Sequence, residues 1–325
     1  MLQEMITANE LMTMDKGSTP LSLAARIFLL YNQSEGKAAR TQEWYRLCMD
    51  RLILGFGPDM PVGGITEDVL RVHIVAYQEK AHSSTGKPLM ASTINNHVRG
   101  IRRFFKWCYI EGYTTTQLLG RYTPPKVPER IVEPFKEAEI QKISDVCLTL
   151  RDVAILYFLI DTGIRAGELA TVKVQDVDLE IGTAKVFGKG AKERIVPFGD
   201  RAEKAIIDYV LNERPEARGT DQLFLNPDGV SMKSSAVRQL FERLRRRSGI
   251  KPLHAHRFRH SFATSFLING GDSLMLKYLL GHTTLIMVDR YVHIANMKAA
   301  QVGREFLPLD RMNLKQRRRV KADQE

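Results

Sequence analysis

Apolar positions recur every three to four residues through the first third of the chain, the period of helices with one buried face. Leu21 to Asn32 carries Leu23, Ile27 and Leu30 at that spacing, and Arg40 to Leu54 carries Trp44, Leu47 and Met49 between charges. Thr66 is placed to cap a third helix. Glu67 and Asp68 fall in its first turn, where acids suit the helix dipole. The apolar stripe expected for it is Val69, Val72 and Ala76. A fourth helix is predicted from Ser92 to Ile110, with Ile94, Val98, Ile101 and Phe105 turned to a core.

The pattern breaks between Tyr122 and Pro134, where Pro124, Pro125, Pro128 and Pro134 crowd together. Proline is rejected by helix interiors and stiffens an extended segment, so this stretch reads as a linker. The predicted organisation is a helical domain over residues 1–122, a linker over 123–134 and a second domain over 135–325.

The second domain mixes periods. Arg151 to Asp161 is almost wholly apolar and reads as a buried helix ended by Thr162-Gly163. Thr183 to Phe187 and Glu193 to Phe198 read as two strands joined by Gly188-Lys189-Gly190-Ala191-Lys192, a glycine-rich hairpin. Strand signals follow at Leu223 to Asn226 and helix signals at Ser234 to Ser248. The rest is helical, with breaks at Gly270-Gly271 and Gly281, and Arg311 to Glu325 is a polar, basic tail expected to fray. The fold class is therefore multi-domain: all-α first, α+β second.

Charge changes the picture next. Among 325 residues the formal net charge is +11, which favours a polyanionic partner, because Lys and Arg contacts to phosphate release condensed counterions. The outer face of the fourth helix carries Asn95, Asn96, Arg99, Arg102, Arg103 and Lys106, a set suited to phosphates and base edges in a DNA groove. A second basic cluster, Arg243, Arg245, Arg246, Arg247 and Lys251, could line a DNA-binding channel. Cys48, Cys108 and Cys147 are an odd, scattered set that makes neither a disulfide framework nor a metal-ligand spacing, and Cys48 and Cys108 are expected in the core. No apolar run approaches the ~20 residues of a membrane span, and the first residues lack the apolar core of a leader. A soluble, cytoplasmic chain is expected.

Four segments carry candidate chemistry: Thr162-Gly-Ile-Arg-Ala-Gly-Glu-Leu169, the hairpin around Lys189, His256-Arg-Phe-Arg-His-Ser-Phe-Ala-Thr264, and Leu280-Gly-His-Thr-Thr-Leu-Ile-Met-Val-Asp-Arg-Tyr291. Breaking a phosphodiester without a metal needs a nucleophile, cations on the non-bridging oxygens, an acid for the leaving oxygen and a base for the nucleophile. A tyrosine conserves the bond energy as a phosphotyrosine ester, and its pKa of ~10 requires that its proton be taken as attack proceeds. Arginines supply planar forks that match phosphate and stay charged. Lysine serves as a mobile acid and histidine exchanges protons near neutral pH. A metal-dependent nuclease would need clustered carboxylates, and no acidic motif accompanies this histidine box.

Taken in order, these motifs resemble the tyrosine recombinase (phage integrase, Xer-type) family over the C-terminal part of the chain. The resemblance implies catalytic roles for Arg165, Lys189, His256, Arg259, His282 and Tyr291; Glu168, three residues after Arg165 on the same helical face, is expected to orient a cationic neighbour. It implies a 3′-phosphotyrosine intermediate and strand exchange through a Holliday junction, with no cofactor and no metal. The expected partner is double-stranded DNA bearing an inverted repeat, bound by two protomers, with two such sites held in a tetramer. Accessory DNA-bending proteins are left open as partners. His254 also begins a His-x-x-Arg with Arg257, but only Arg259-His260-Ser261-Phe262-Ala263-Thr264 continues the family pattern. Lys189 and Lys192 both lie in the hairpin and either could reach a phosphate; the family pattern puts the catalytic lysine first, at Lys189, so that Lys192 is expected to contact the DNA backbone, and Arg194 is a weaker candidate still. Two alternatives remain: a type IB topoisomerase-like relaxation enzyme and a catalytically vestigial DNA-binding accessory protein.

Overall fold

The computed structural model of the chain describes residues 15–79, 86–127, 132–188, 192–282, 284–285, 288–289 and 291–292. The chain forms two compact units, residues 1–130 and 131–325. Lys189, Pro128, the end of the chain and its first residues, all singled out above, lie outside the described residues.

The first unit is helical: α1 (Leu21–Ser34), α2 (Ala39–Phe56), α3 (Glu67–Gln78) and α4 (Ala91–Ile110). Its core is one cluster rich in aromatic rings, with Phe28 against Tyr45, Phe104 and Trp107, and it includes Cys48 and Cys108. Thr66 caps α3 by accepting a hydrogen bond from the Val69 amide. On α4 the expected stripe of Ile94, Val98, Ile101 and Phe105 is buried.

On the other three helices the buried face is shifted from the expected one, although Met49 is buried as expected and Ile27 and Trp44 pack against the core. α3 buries Leu70, Ile74 and Tyr77, while Val69 and Val72 are exposed. α1 buries Leu21, Ala24, Ala25 and Phe28 and exposes Leu30; α2 buries Tyr45, Cys48, Met49 and Leu52 and exposes Leu47. The reason is the same in each case. These helices carry apolar residues on two faces, so a second stripe a fraction of a turn away also satisfies the period, and packing against the neighbouring helices selects between them.

The second unit contains α5 (Glu137–Asp145), α6 (Leu150–Thr162), α7 (Ala166–Leu169), β1 (Val177–Asp178), β2 (Thr183–Phe187), β3 (Glu193–Pro197), α8 (Asp200–Asn212), α9 (Ser234–Ser248), α10 (Ala255–Ile268) and α11 (Ser273–Leu280). Its described residues are mostly helical with one small antiparallel sheet of order β1-β2-β3, in which Ala184 faces Val196 and Val186 faces Arg194. Thr149 caps α6, which is buried along most of its length as its composition predicts. The strand expected at Leu223 to Asn226 is absent as a ladder: Gln222 and Leu225 make only isolated bridges, to Lys173 and Ser231. A second, smaller core gathers Phe262, Ala263, Leu276, Leu279, Leu280, Val288 and Tyr291.

Candidate active site

Gly163 ends α6 in the left-handed conformation, with φ of 59°. A Cβ there would sit 2.4 Å from the Phe262 ring, so glycine is required both by backbone and by space. This close approach seats α10 against the end of α6. Arg259, on α10, then donates from Nη1 to the Gly163 carbonyl at 3.0 Å. Two residues on, Arg165 stands at the N-cap of α7. Its backbone N–H and its Nη1 both donate to the Glu168 carboxylate, at 2.9 Å each. An acid in the first turn suits the helix dipole. It also offsets the cation that this helix end would otherwise repel.

Arg259 is 3% exposed. Besides Gly163 it donates through Nη2 to the Leu280 carbonyl, and the same nitrogen lies 2.8 Å from His282 Nε2. A guanidinium can only donate, so Nε2 accepts and the neutral ring carries its proton on Nδ1. That Nδ1 is buried and has no hydrogen-bond partner among the described residues. Burial, and then the charge of Arg259, push the His282 pKa down to about 4. Arg259 itself is pushed down to about 10, by burial first and by the nearby Arg165 charge second. Two arginines are thus held close enough to repel, an arrangement that favours an anion between them.

His256 lies in the first turn of α10, one turn before Arg259. Its pKa is lowered by burial and then by Arg259, His254 and Arg165. Tyr291 is 5% exposed. Its ring lies 6.4 Å from that of His282, nearly parallel, and 5.2 Å from that of His260. Arg165, Glu168, His256, Arg259, His282 and Tyr291 therefore come together in one region. Lys189 lies outside the described residues, but the base of its hairpin is closed by the Gly188 N–H donating to the Lys192 carbonyl at 2.8 Å.

The competing histidine phase is resolved by its partners. His254 caps α10, its Nδ1 accepting from the Arg257 amide. Arg257 points away from the cluster: it pairs with Glu139, donates to the Glu133 and Pro252 carbonyls and lies over the Phe135 ring at 4.0 Å.

The basic residues of α4 belong to the other unit. Asn96, Arg99, Arg103 and Lys106 are exposed. Arg99 also lies over the Trp44 ring, Asn95 donates to the Pro125 carbonyl and Arg102 to that of Gly120. In the second unit Lys192, Arg243 and Arg246 are exposed, and Arg246 together with Arg245 also pairs with Glu242.

Sequence alone undervalues one residue. Arg194 is 5% exposed, so it is no backbone contact for DNA in this arrangement. It binds both oxygens of Glu168, at 3.1 and 2.8 Å. The signal that could have found it is alternation: Arg194, Val196 and Phe198 share the inward face of β3 and its continuation, while Ile195 faces out.

Residues 133–298 match the phage integrase family. The tyrosine recombinase XerC of Bacillus pumilus is 35% identical over 221 residues, covering 64% of this chain and 72% of that protein. The tyrosine recombinase XerD of Listeria innocua is 30% identical over 226 residues, covering 66% of this chain and 76% of that protein. The fold is similar to the Tn1549 transposon integrase solved with a circular intermediate DNA, with a TM-score of 0.70 at 18% identity over 84% of this chain and 95% of that one. It is also similar to a lambda integrase dimer bound to a core site, with a TM-score of 0.69 at 19% identity over the same shares of the two chains.

Proposed function

The chain belongs to the phage integrase family of tyrosine recombinases, enzymes that cleave and rejoin DNA at specific sites, and from that premise we propose how its residues divide the work. Tyr291 attacks the scissile phosphate and forms a 3′-phosphotyrosyl link, releasing a 5′ hydroxyl. Arg165 and Arg259 hold the non-bridging oxygens as negative charge grows on them. Lys189 protonates the departing 5′ oxygen, and His256 takes the tyrosine proton. His282 donates from Nδ1 to a non-bridging oxygen. Glu168 keeps Arg165 in place.

The observation that carries this reading is the set of contacts made by Arg259. One buried guanidinium touches the Gly163 carbonyl ahead of Arg165 and the ring of His282, tying three separated motifs into one site. The neutral, proton-bearing Nδ1 of His282 is the form that can donate to phosphate.

The helical unit acts as a core-binding domain, with Asn95, Asn96, Arg99, Arg102, Arg103 and Lys106 toward DNA, joined by Lys192, Arg243 and Arg246 of the second unit. Two protomers bind an inverted repeat and two such dimers form the synaptic tetramer.

Covalent trapping tests the reading. Protein is incubated in EDTA with randomly nicked genomic DNA of its source, and SDS-resistant adducts are sequenced. Adducts at a few sites, joined through a 3′ phosphate, are expected. Adducts at random positions would favour relaxation of supercoils instead. Tight binding without any adduct would favour a vestigial site.

A further inference from the structure

We propose that Arg194 is a positioning residue for DNA cleavage: its buried guanidinium joins the carboxylate that holds Arg165 to the turn that delivers His282. This rests on the roles proposed above for Arg165 and His282.

Three contacts define the arrangement. Nη1 and Nη2 each meet one oxygen of Glu168, at 3.1 and 2.8 Å. Nε donates to the Leu279 carbonyl at 2.6 Å, three residues before His282. Gly281, left-handed with φ of 63°, passes so close that a Cβ would lie 3.1 Å from Arg194 Nη1. The guanidinium therefore floors the turn that leads from α11 to His282. The Glu168 carboxylate receives four hydrogen bonds, two from Arg194 and two from Arg165. Arg165 is the exposed partner, with 38% of its side chain accessible, and Arg194 the buried one at 5%. One edge of Arg165 is thus fixed from behind while the rest of its fork faces outward.

The position itself is informative. Arg194 occupies an inward site of β3, opposite Val186, where a strand of this kind buries apolar side chains such as Val196. A buried cation at such a site is costly unless it is fully paired, and here every donor group finds a partner. Arginine alone meets the demand: a planar fork for both carboxylate oxygens and a third N–H directed elsewhere. Lysine retains the charge but has a single nitrogen, which cannot span Glu168 and the Leu279 carbonyl together. The strand carrying Arg194 is also the one that follows the Lys189 hairpin, so three of the four motif segments converge on this side chain.

The test is single-turnover formation of the Tyr291–DNA adduct on randomly nicked genomic DNA, for wild type, Arg194→Met, Arg194→Lys, Glu168→Gln and the paired variants. Arg194→Met is expected to slow adduct formation by about 10²-fold, the scale of a misplacement near 1 Å. DNA affinity is expected to stay within about threefold of wild type, as for residues away from the bound surface. Arg194→Lys is expected to fold normally and still lose most of the rate. Combined with Glu168→Gln, either change is expected to add little to the larger single loss, because both break one linkage. An Arg194→Lys enzyme with the wild-type rate would overturn the proposal, as would losses that simply multiply. If Arg194→Met does not fold, the lysine variant, alone and paired with Glu168→Gln, distinguishes the same two outcomes. Absence of adducts from the wild type would instead overturn the functional reading on which this rests.

Discussion

The two units treat charge in opposite ways. Among the described residues of the helical unit, the buried polar side chains are Thr19, Asn32, His97 and Thr114, and its arginines lie at the surface around an apolar, aromatic core. The second unit buries Arg194, Arg257, Arg259, Asp152 and Glu168. Surface cations have a low desolvation cost and interact weakly with any one partner, which suits contacts to a phosphate backbone. Buried cations must be paired and are held rigidly, which suits stabilising a transition state. On the reading proposed above, the contrast would separate holding DNA from reacting with it.

The sharpest way to break that division is at the proposed nucleophile. Tyr291→Phe is expected to abolish adduct formation entirely while DNA affinity in a gel-shift titration is unchanged. Any residual 3′-linked adduct would move the nucleophile elsewhere. Next in size, Arg259→Ala is expected to lower the adduct rate by about 10²–10³-fold, the usual loss on removing a donor to a developing oxyanion. A comparable loss from an exposed arginine of α4 would erase the difference between the units.

The helical core offers a stability contrast. Leu70→Ala is expected to cost about 2–5 kcal/mol in urea unfolding. Val72→Ala, one face away and 69% exposed, is expected to change stability by no more than about 0.5 kcal/mol. The reverse order would restore the apolar stripe of Val69, Val72 and Ala76 as the buried face.

Acid supplies another probe of the second unit. His282 titrates at about 4 in the folded chain, against an ordinary value of 6.5. Between these values the unfolded chain binds a proton that the folded site refuses, so stability rises with pH across the window. It is complete above 6.5 and is lost as pH falls toward 4; His256, lowered for the same reasons, adds in the same direction. His282→Gln is expected to flatten the dependence of Tm on pH over this interval. An unchanged slope would mean that His282 is not held neutral by its surroundings.

The smallest effect belongs to the surface cations. Arg103→Ala and Lys106→Ala are each expected to weaken DNA binding uniformly across sequences and to reduce the slope of log K against log salt by about 1. A change in sequence preference instead would place these side chains at base edges.

The motif residues were legible because their chemistry leaves few substitutes: Arg165, Arg259, His282 and Tyr291 stand in an order that composition does not produce. The α4 stripe was legible because only one of its faces is apolar, and the Thr66 cap because the hydroxyl and the acids after it point to one local geometry. The buried face of α3 was not, and those of α1 and α2 only in part, because two phases of a helical stripe are equivalent until another helix packs on one of them. The strand expected at Leu223 to Asn226 failed for a related reason. A short apolar run fits a ladder or a packed loop, and only its neighbours distinguish the two.

Arg194 marks the boundary most clearly. In the sequence it is one more cation in a basic hairpin, and charge alone directs it outward to DNA. Its burial follows from Glu168, 26 residues earlier, and from the Leu279 carbonyl, 85 residues later. The sequence by itself determined the family, because its motifs, with an arginine, a His-x-x-Arg box, a second histidine and a tyrosine in that order, resemble the tyrosine recombinases, and residues 133–298 match that family. The tertiary structure decided which cations are buried and paired and which stay exposed, because that choice depends on partners far apart along the chain.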